Sequence, residues 1–289
     1  MPERLLPPGN RAPVRTLASL DALDPPAKAI GKKVRQILKP GPVKDLLSGS
    51  WLGHALHPLL TDVTVGSFTS ALMLDWVGGR EGRQAARRLI GIGLLSTPAT
   101  VATGYSDWAD SEVGNDGVRR IGMVHAAANA TGATLFAASW AQRRNGASGR
   151  LLALAGGGIL TAGAYLGGHM SFAEGIGVDQ TAFEHPPEDW APVLGSGEPQ
   201  EGDTRCVMAD GTAVMVARSG GELYALSDHC SHRGGPLHEG ELGDGTITCP
   251  WHSSVFDLRD GALVHGPAAY PQPAWDVRVR DDRIEVRRR

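Results

Sequence analysis

Asp228-His-Cys230-Ser-His232-Arg-Gly-Gly-Pro-Leu237 and Cys249-Pro-Trp-His252-Ser-Ser254, with sixteen residues between His232 and Cys249, decide the reading of this chain. Each stretch carries one thiol and one imidazole, spaced C-x-H in the first and C-x-x-H in the second. Thiolate is a soft ligand and neutral imidazole a borderline one, so four such groups can hold zinc or an iron–sulfur cluster. A zinc finger usually pairs Cys with Cys and His with His, whereas both turns here are mixed. Gly234, Gly235 and Pro250 shape tight loops around the four donors.

Working outward, short alternating segments flank the two stretches: Thr204–Met208, Thr212–Arg218, Glu222–Ser227, Thr246–Cys249, Val255–Leu258, Trp275–Arg280 and Arg283–Arg287. Ala209-Asp-Gly211, Ser219-Gly-Gly221, Asp244-Gly245 and Asp260-Gly261 are turn signals between or beside them. The pattern predicts a small antiparallel sandwich or barrel. In motif, loop composition and surrounding strands, residues 190–288 resemble the Rieske [2Fe-2S] domain.

The resemblance implies one [2Fe-2S] cluster per chain, with Cys230 and Cys249 on one iron and His232 and His252 on the other. It also implies a place near the cluster for Ser254, and for a cover beginning at Gly266-Pro267. Rieske proteins of the cytochrome bc type join the two loops by a disulfide and supply a Ser and a Tyr hydroxyl. The disulfide positions correspond here to Gly235 and Trp251, and Phe256 stands at the Tyr position. The loops therefore look more like the ferredoxin and oxygenase branch, with fewer donors to sulfur and a lower potential. Cys206 is expected as a small buried hydrophobe on its strand, and His229 and His238 as flanking groups rather than ligands.

The rest of the chain reads differently. It has 289 residues, 39 Gly, 19 Pro and three Cys, which suits two domains and excludes a disulfide scaffold. A net charge of −3 argues against a nucleic-acid binder. Mean hydropathy of −0.15 averages over unlike parts. Residues 1–56 carry nine basic and four acidic groups, residues 57–188 nine and eleven, and residues 189–289 ten and sixteen. In the charge-poor middle lie four apolar stretches, His57–Val77, Leu89–Tyr105, Ile121–Trp140 and Leu151–Phe172. Each is about 17–22 residues, enough to cross a hydrocarbon core. Trp76, Trp108 and Trp140 sit near their ends, and Gly163 and Gly167 form a GxxxG spacing suited to close helix approach. The segment Gly53-His-Ala-Leu-His-Pro58 resembles the opening of a family of uncharacterised bacterial four-helix membrane proteins.

Four antiparallel spans would put His54, His57, Tyr105, His125 and His169 at one membrane face. Asp62 lies about one turn inside it. An intramembrane ionisable group is a functional candidate, so His57, Asp62, His125 and His169 form a candidate haem b or quinone site. The alternative is interfacial histidines hydrogen-bonded between helices or to water. Pro26–Lys39, with Ile30, Val34, Ile37 and Leu38 on one face and Lys32, Lys33 and Arg35 off it, reads as a basic amphipathic helix. It would lie on an anionic membrane surface or pack on the protein.

The expected fold is thus an all-α four-helix transmembrane bundle followed by a small all-β Rieske-type domain. The divisions are 1–50 a basic, Pro-rich tail with a short amphipathic helix, 51–175 the membrane domain, 176–189 a linker and 190–289 the iron–sulfur domain. The expected function is one-electron transfer between a membrane redox partner or quinone and an acceptor, with no independent catalysis. Only 37 residues follow His252, too few for a mononuclear-iron oxygenase domain. A redox sensor and a quinol-oxidising subunit are the alternatives. The partners expected are the bilayer and a redox protein or quinone, with no nucleic acid. Seven Arg in the loops after the first and third stretches would put both termini outside. The basic helix, the unpaired Cys206, the missing disulfide and the lack of a recognisable export signal favour a cytoplasmic iron–sulfur domain, and that side is the expectation.

Overall fold

The structure, a computed structural model, describes residues 12–289 and divides into two compact units. One comprises the described residues up to Ile37 together with Leu56–Ile176, and the other Leu38–Ala55 with Gly177–Arg289. Residues 38–55, which the sequence reading divides between tail and membrane domain, therefore group with the β unit. The first eleven residues of the expected tail lie outside the described residues.

The helices are α1 (Ala12–Ala18), α2 (Asp24–Ile37), α3 (Pro42–Ser48), α4 (Leu56–Val77), α5 (Gly79–Ser111), α6 (Asp116–Arg144) and α7 (Arg150–Phe172). All but α3 belong to the helical unit. The four apolar stretches lie in α4 to α7. The α5 helix runs to 33 residues because it continues through Arg80–Arg88, good helix formers that hydropathy excludes. Among the described residues, α7 alone is long and apolar enough to cross a membrane by length and composition. Asp62 and Asp75 in α4, and the Arg, Ser, Thr and Gly residues of α5 and α6, dilute the others.

This unit buries polar groups among its apolar cores and exposes large apolar side chains. Thr64, Ser67, Asp75, Thr103, Ser139 and Arg143 are buried, while Met73, Trp76, Leu95, Leu151 and Phe172 are exposed. Arg143, expected in a loop, is the penultimate residue of α6 and grips Asp75 of α4 with both guanidinium nitrogens, one of them at 2.8 Å. Phe68 and Phe136 stack at 4.1 Å. Gly163 and Gly167 admit the side chains of Asn129 and His125, rather than a neighbouring backbone. The α2 helix packs on the protein: Ala27 and Gly31 are buried, Arg120 holds the Asp24 carboxylate at 2.9 Å, and Arg35 reaches Glu112 at 2.7 Å.

The β unit has a six-stranded sheet ordered β1 (Ala191–Gly195), β10 (Arg283–Arg288), β9 (Ala274–Arg280), β4 (Glu222–Ser227), β3 (Thr212–Ser219), β2 (Thr204–Ala209). A second sheet runs β5 (Glu241–Leu242), β6 (Thr246–Thr248), β7 (Val255–Asp257), β8 (Leu263–His265), and the pairings in both are antiparallel. Strand residues alternate between faces, so β3 feeds two cores. Val214 and Val216 join Trp275, Ile284 and Val286, while Met215 and Ala217 join Leu226, Ile247 and Phe256. Asp210 and Gly211, at φ 47° and 89°, make the left-handed two-residue turn that matches strand twist. Asp281 and Asp282 make the same kind of turn without glycine, in the gap between the two strands expected on either side. Cys206 is exposed, a correction to its expected burial: edge strand β2 turns Val207 and Ala209 inward and Cys206 and Met208 outward.

Candidate metal centre

The two quoted stretches leave the β framework at places that bring their donors together. The first loop follows β4, and the second connects β6 to β7. In the first, the Cys230 N–H donates to Gly235 O at 2.9 Å and the Gly234 N–H to Cys230 O at 2.8 Å. Gly234 sits at φ 72°, where a side chain would be strained. In the second, the Cys249 N–H donates to Ser254 O at 2.8 Å and the Ser253 N–H to Cys249 O at 3.1 Å. Each loop thus closes on its own cysteine.

Both thiols are buried, at 1% and 2% exposure for Cys230 and Cys249. Cys230 donates to Cys249. That bond, against the effect of burial and with the N–H groups of Trp251 and His252, brings Cys249 down to about 7. Cys230, the donor of the pair and buried, is pushed up, although the N–H groups of His232 and Arg233 also point at its sulfur. The half-buried rings of His232 and His252 meet edge to face, centroids 5.0 Å apart. Burial first, then His252, Lys44 and Arg233, hold His232 well below the usual imidazole range. A neutral imidazole and a stabilised thiolate are the forms that bind metal.

The donors therefore pair like with like, sulfur with sulfur and ring with ring. A cluster whose irons take two sulfurs and two imidazoles respectively needs that division. A single tetrahedral ion would draw all four donors to one point. Gly235 packs against Cys249 Sγ and the Trp251 ring, where an added Cβ would lie 3.0 and 3.1 Å away. The two positions matched to the missing disulfide thus face each other, filled by an indole.

The segment from Gly266 to Pro273 braces both loops. The Ala268 N–H donates to Ser254 Oγ at 3.0 Å. Gln272, 1% exposed, accepts the Ser231 N–H at 2.9 Å and donates to the carbonyls of Ser227 and His229, each at 2.7 Å. Ser231 Oγ donates to Tyr270 O at 3.0 Å. Asp228 accepts from the backbone N–H of His238 at 2.8 Å and lies 2.9 Å from its ring Nδ1, so His238 is engaged away from the four donors. The Cys206 sulfur lies beside Asp228; partial burial and then that carboxylate push its thiol up to about 11. Gln272 and Asp228 were missed in the sequence. The only available signal was a polar residue between two prolines, Pro271 and Pro273.

In the helical unit the candidate haem or quinone residues have separate hydrogen-bond partners. His57 Nδ1 lies 2.9 Å from Thr100 O and 3.2 Å from Thr103 Oγ1, its ring against Gly104. His125 Nδ1 lies 2.8 Å from Gly163 O. His169 approaches Glu174 at 3.6 Å. Asp62 is exposed on α4. Tyr105, Trp108, Ile121, Leu166 and Met170 form one apolar cluster, so the ends bearing Tyr105, His125 and His169 meet as antiparallel connectivity requires.

Fold, loops and donor pairing define a Rieske-type iron–sulfur domain. Residues 189–276 match the Rieske [2Fe-2S] domain, and the chain belongs to that family. Residues 53–180 match a predicted membrane protein family, DUF2231, so the iron–sulfur domain is preceded by a predicted membrane-protein domain. The anthranilate 1,2-dioxygenase ferredoxin subunit of Burkholderia cepacia is 34% identical over 98 residues, 34% of this chain and 91% of the relative. Ferredoxin CarAc of Metapseudomonas resinovorans is 32% identical over 98 residues, 34% of this chain and 92% of the relative. Among solved structures, the ferredoxin of carbazole 1,9a-dioxygenase from Nocardioides aromaticivorans IC177 is 33% identical. It covers 35% of this chain and 98% of that one, with a TM-score of 0.33. The family implies a [2Fe-2S] cluster, and its ferredoxin members support an electron-transfer role.

Proposed function

We propose that this chain is a membrane-anchored electron carrier whose cluster is held by Cys230 and Cys249 on one iron and His232 and His252 on the other, with Ser254 beside it. The observation that carries the reading is the pairing of sulfur with sulfur and imidazole with imidazole. The bound cluster takes up and returns one electron at a time. The protein's part is to keep the sulfurs dry, to aim two N–H groups at each, and to hold the imidazoles half-exposed near the exposed Trp251 for a partner to approach.

The membrane reading is supported by the match at 53–180, by the apolar length of α7, and by large apolar side chains facing outward while Asp75 and Arg143 are buried. With four spans, the iron–sulfur domain lies on the cytoplasmic side and exchanges electrons with a membrane partner and an acceptor protein. His57 has Nδ1 beside a backbone carbonyl, the arrangement that leaves Nε2 for a metal or quinone oxygen, whereas Asn129 Nδ2 lies 3.0 Å from His125 Nε2, so the support for a haem b or quinone at that end comes from His57.

The test is the full-length protein in mild detergent. Iron, inorganic sulfide and zinc are quantified, and the reduced-state EPR spectrum is recorded. Two irons and two sulfides per chain are expected, with the signal lost in Cys249→Ser and His232→Ala; one zinc and no sulfide overturns the reading. A Soret band lost in His57→Ala supports haem, and its absence from protein carrying a full cluster removes haem from the proposal. For topology, Ser148→Cys and Ser196→Cys are labelled in a Cys206→Ser background, because Cys206 is itself exposed. External labelling of Ser148→Cys alone is expected, and labelling of Ser196→Cys alone overturns the cytoplasmic placement.

A further inference from the structure

The α3 segment lies 180 residues before the first ligand loop, between the last described residue of α2 and the stretch matched to the membrane family. It is also outside the stretch matched to the Rieske family. Yet it is fastened to the β unit at two points. Asp45 accepts the Gly266 N–H at 2.9 Å and lies 3.2 Å from His265 Nδ1. Ser50 Oγ donates to Ala268 O at 2.7 Å. Gly49, at φ 81°, ends α3 in a left-handed turn in which the N–H groups of Gly49 and Ser50 both donate to Asp45 O at 3.2 Å, which sets Ser50 for that contact. A side chain at Gly266 would collide with Ser50 Oγ, so the approach is close. The loop so gripped is the one whose Ala268 N–H holds Ser254, next to the second ligand loop. Lys44, next in sequence to Asp45, is only 4% exposed.

A lysine is seldom buried, because its ammonium loses hydration. Here the fastening at the adjacent Asp45 accounts for its position. The loop that α3 grips leads from Ala268 to Ser254, two residues beyond the ligand His252. We infer that α3 is an internal clamp that holds Lys44 as a fixed, water-shielded cation near the second ligand loop, and that this cation raises the cluster's reduction potential. The inference rests on the cluster assignment above. Reduction adds one negative charge, and a nearby positive charge favours the state that carries it. Screening is weak because the site is shielded from water.

All five lysines of the chain lie between positions 28 and 44, and Lys28, Lys32, Lys33 and Lys39 are exposed. Reductive methylation of the folded full-length protein, read by mass spectrometry, therefore tests the clamp with or without iron. Lys44 is expected to react at least about tenfold more slowly than the other four, in line with its burial. Asp45→Ala and Gly266→Ala are expected to release it. Equal reactivity in the wild type overturns the clamp. The second measurement is an EPR-monitored redox titration of the full-length holoprotein. In Lys44→Met the reduced-to-oxidised ratio at the wild-type midpoint is expected to fall about tenfold, which is about 59 mV for one electron. Lys44→Arg should stay within about twofold, since charge is kept. If Lys44→Met fails to retain its cluster, Gly266→Ala, which releases Lys44 without changing the charge, is titrated and a downward shift is expected. A cluster-replete neutral variant with the wild-type potential overturns the electrostatic role. A wild type without iron and sulfide defeats the cluster assignment instead, and the methylation result tells the two failures apart.

Discussion

Gln272 is the single side chain whose replacement should do most damage to the first ligand loop without touching a metal donor. Its amide is fully engaged: one carbonyl oxygen accepts the Ser231 N–H, and one amide nitrogen serves the Ser227 and His229 carbonyls. Gln272→Leu keeps most of the volume and removes all three bonds. A buried N–H left unmet costs about 1–3 kcal/mol, and each carbonyl that loses a bond adds about 1 kcal/mol, for a total of about 3–5 kcal/mol. Against a typical domain stability of about 5–15 kcal/mol that is a large share. For a domain of this size about 4–8 °C is lost per kcal/mol, so bleaching of the visible absorption should move down by about 12–40 °C. Cluster loss is irreversible, so wild type and variant are compared at one scan rate. Gln272→Glu separates polarity from packing. One carboxylate oxygen still accepts from Ser231, but the other faces two carbonyls. The defect should therefore shrink as the pH falls and the new carboxyl protonates, while that of Gln272→Leu should not. A bleaching temperature within about 3 °C of wild type for Gln272→Leu, at full iron content, would refute the argument that this amide pins the loop.

Three further expectations follow from the same geometry. Burial raises the Glu184 carboxyl above its ordinary 4.5, against the pull of its bond with Ser227 and of Arg288. The folded state then holds this proton more tightly than the unfolded one, so its contribution to stability falls as pH rises from 4.5 through the raised value and is level above it. Glu184→Gln should abolish that part of the pH dependence and be at least as stable at pH 7; an unchanged difference curve in unfolding titrations contradicts this. Gly235→Ala places a methyl against Cys249 Sγ, which cannot retreat, and should cost about 1–3 kcal/mol through overpacking, read as lowered iron and sulfide per chain. Cys206→Ser should leave iron, sulfide and the EPR signal unchanged, because Cys206 is exposed on an edge strand whereas Cys230 and Cys249 are buried together; loss of iron would show that the donor set is wrong.

The cluster loops were legible because a metal imposes donor types at fixed short spacings, and because glycine and proline mark the turns that present them. The hairpins at Asp210-Gly211 and Gly220-Gly221 were legible for the same local reason, whereas Asp281-Asp282 was marked only by the gap between two expected strands, since aspartate adopts positive φ less readily than glycine. The apolar stretches located α4 to α7 but not their ends, because helix continuation through Arg80–Arg88 depends on propensity and packing rather than hydropathy.

By itself, then, the amino-acid order determined what is local: which residues can bind metal, where the chain turns, and which segments are apolar. Tertiary structure alone decided what joins distant residues. It set the outward face of Cys206 on an edge strand, the pairing of Asp75 with Arg143, the bracing of the first loop by Gln272, and the arrival of Lys44 and Asp45 at the far end of the chain. Burial and hydrogen bonding act between whatever the fold brings together, and no spacing rule encodes a partner that lies dozens or hundreds of residues away.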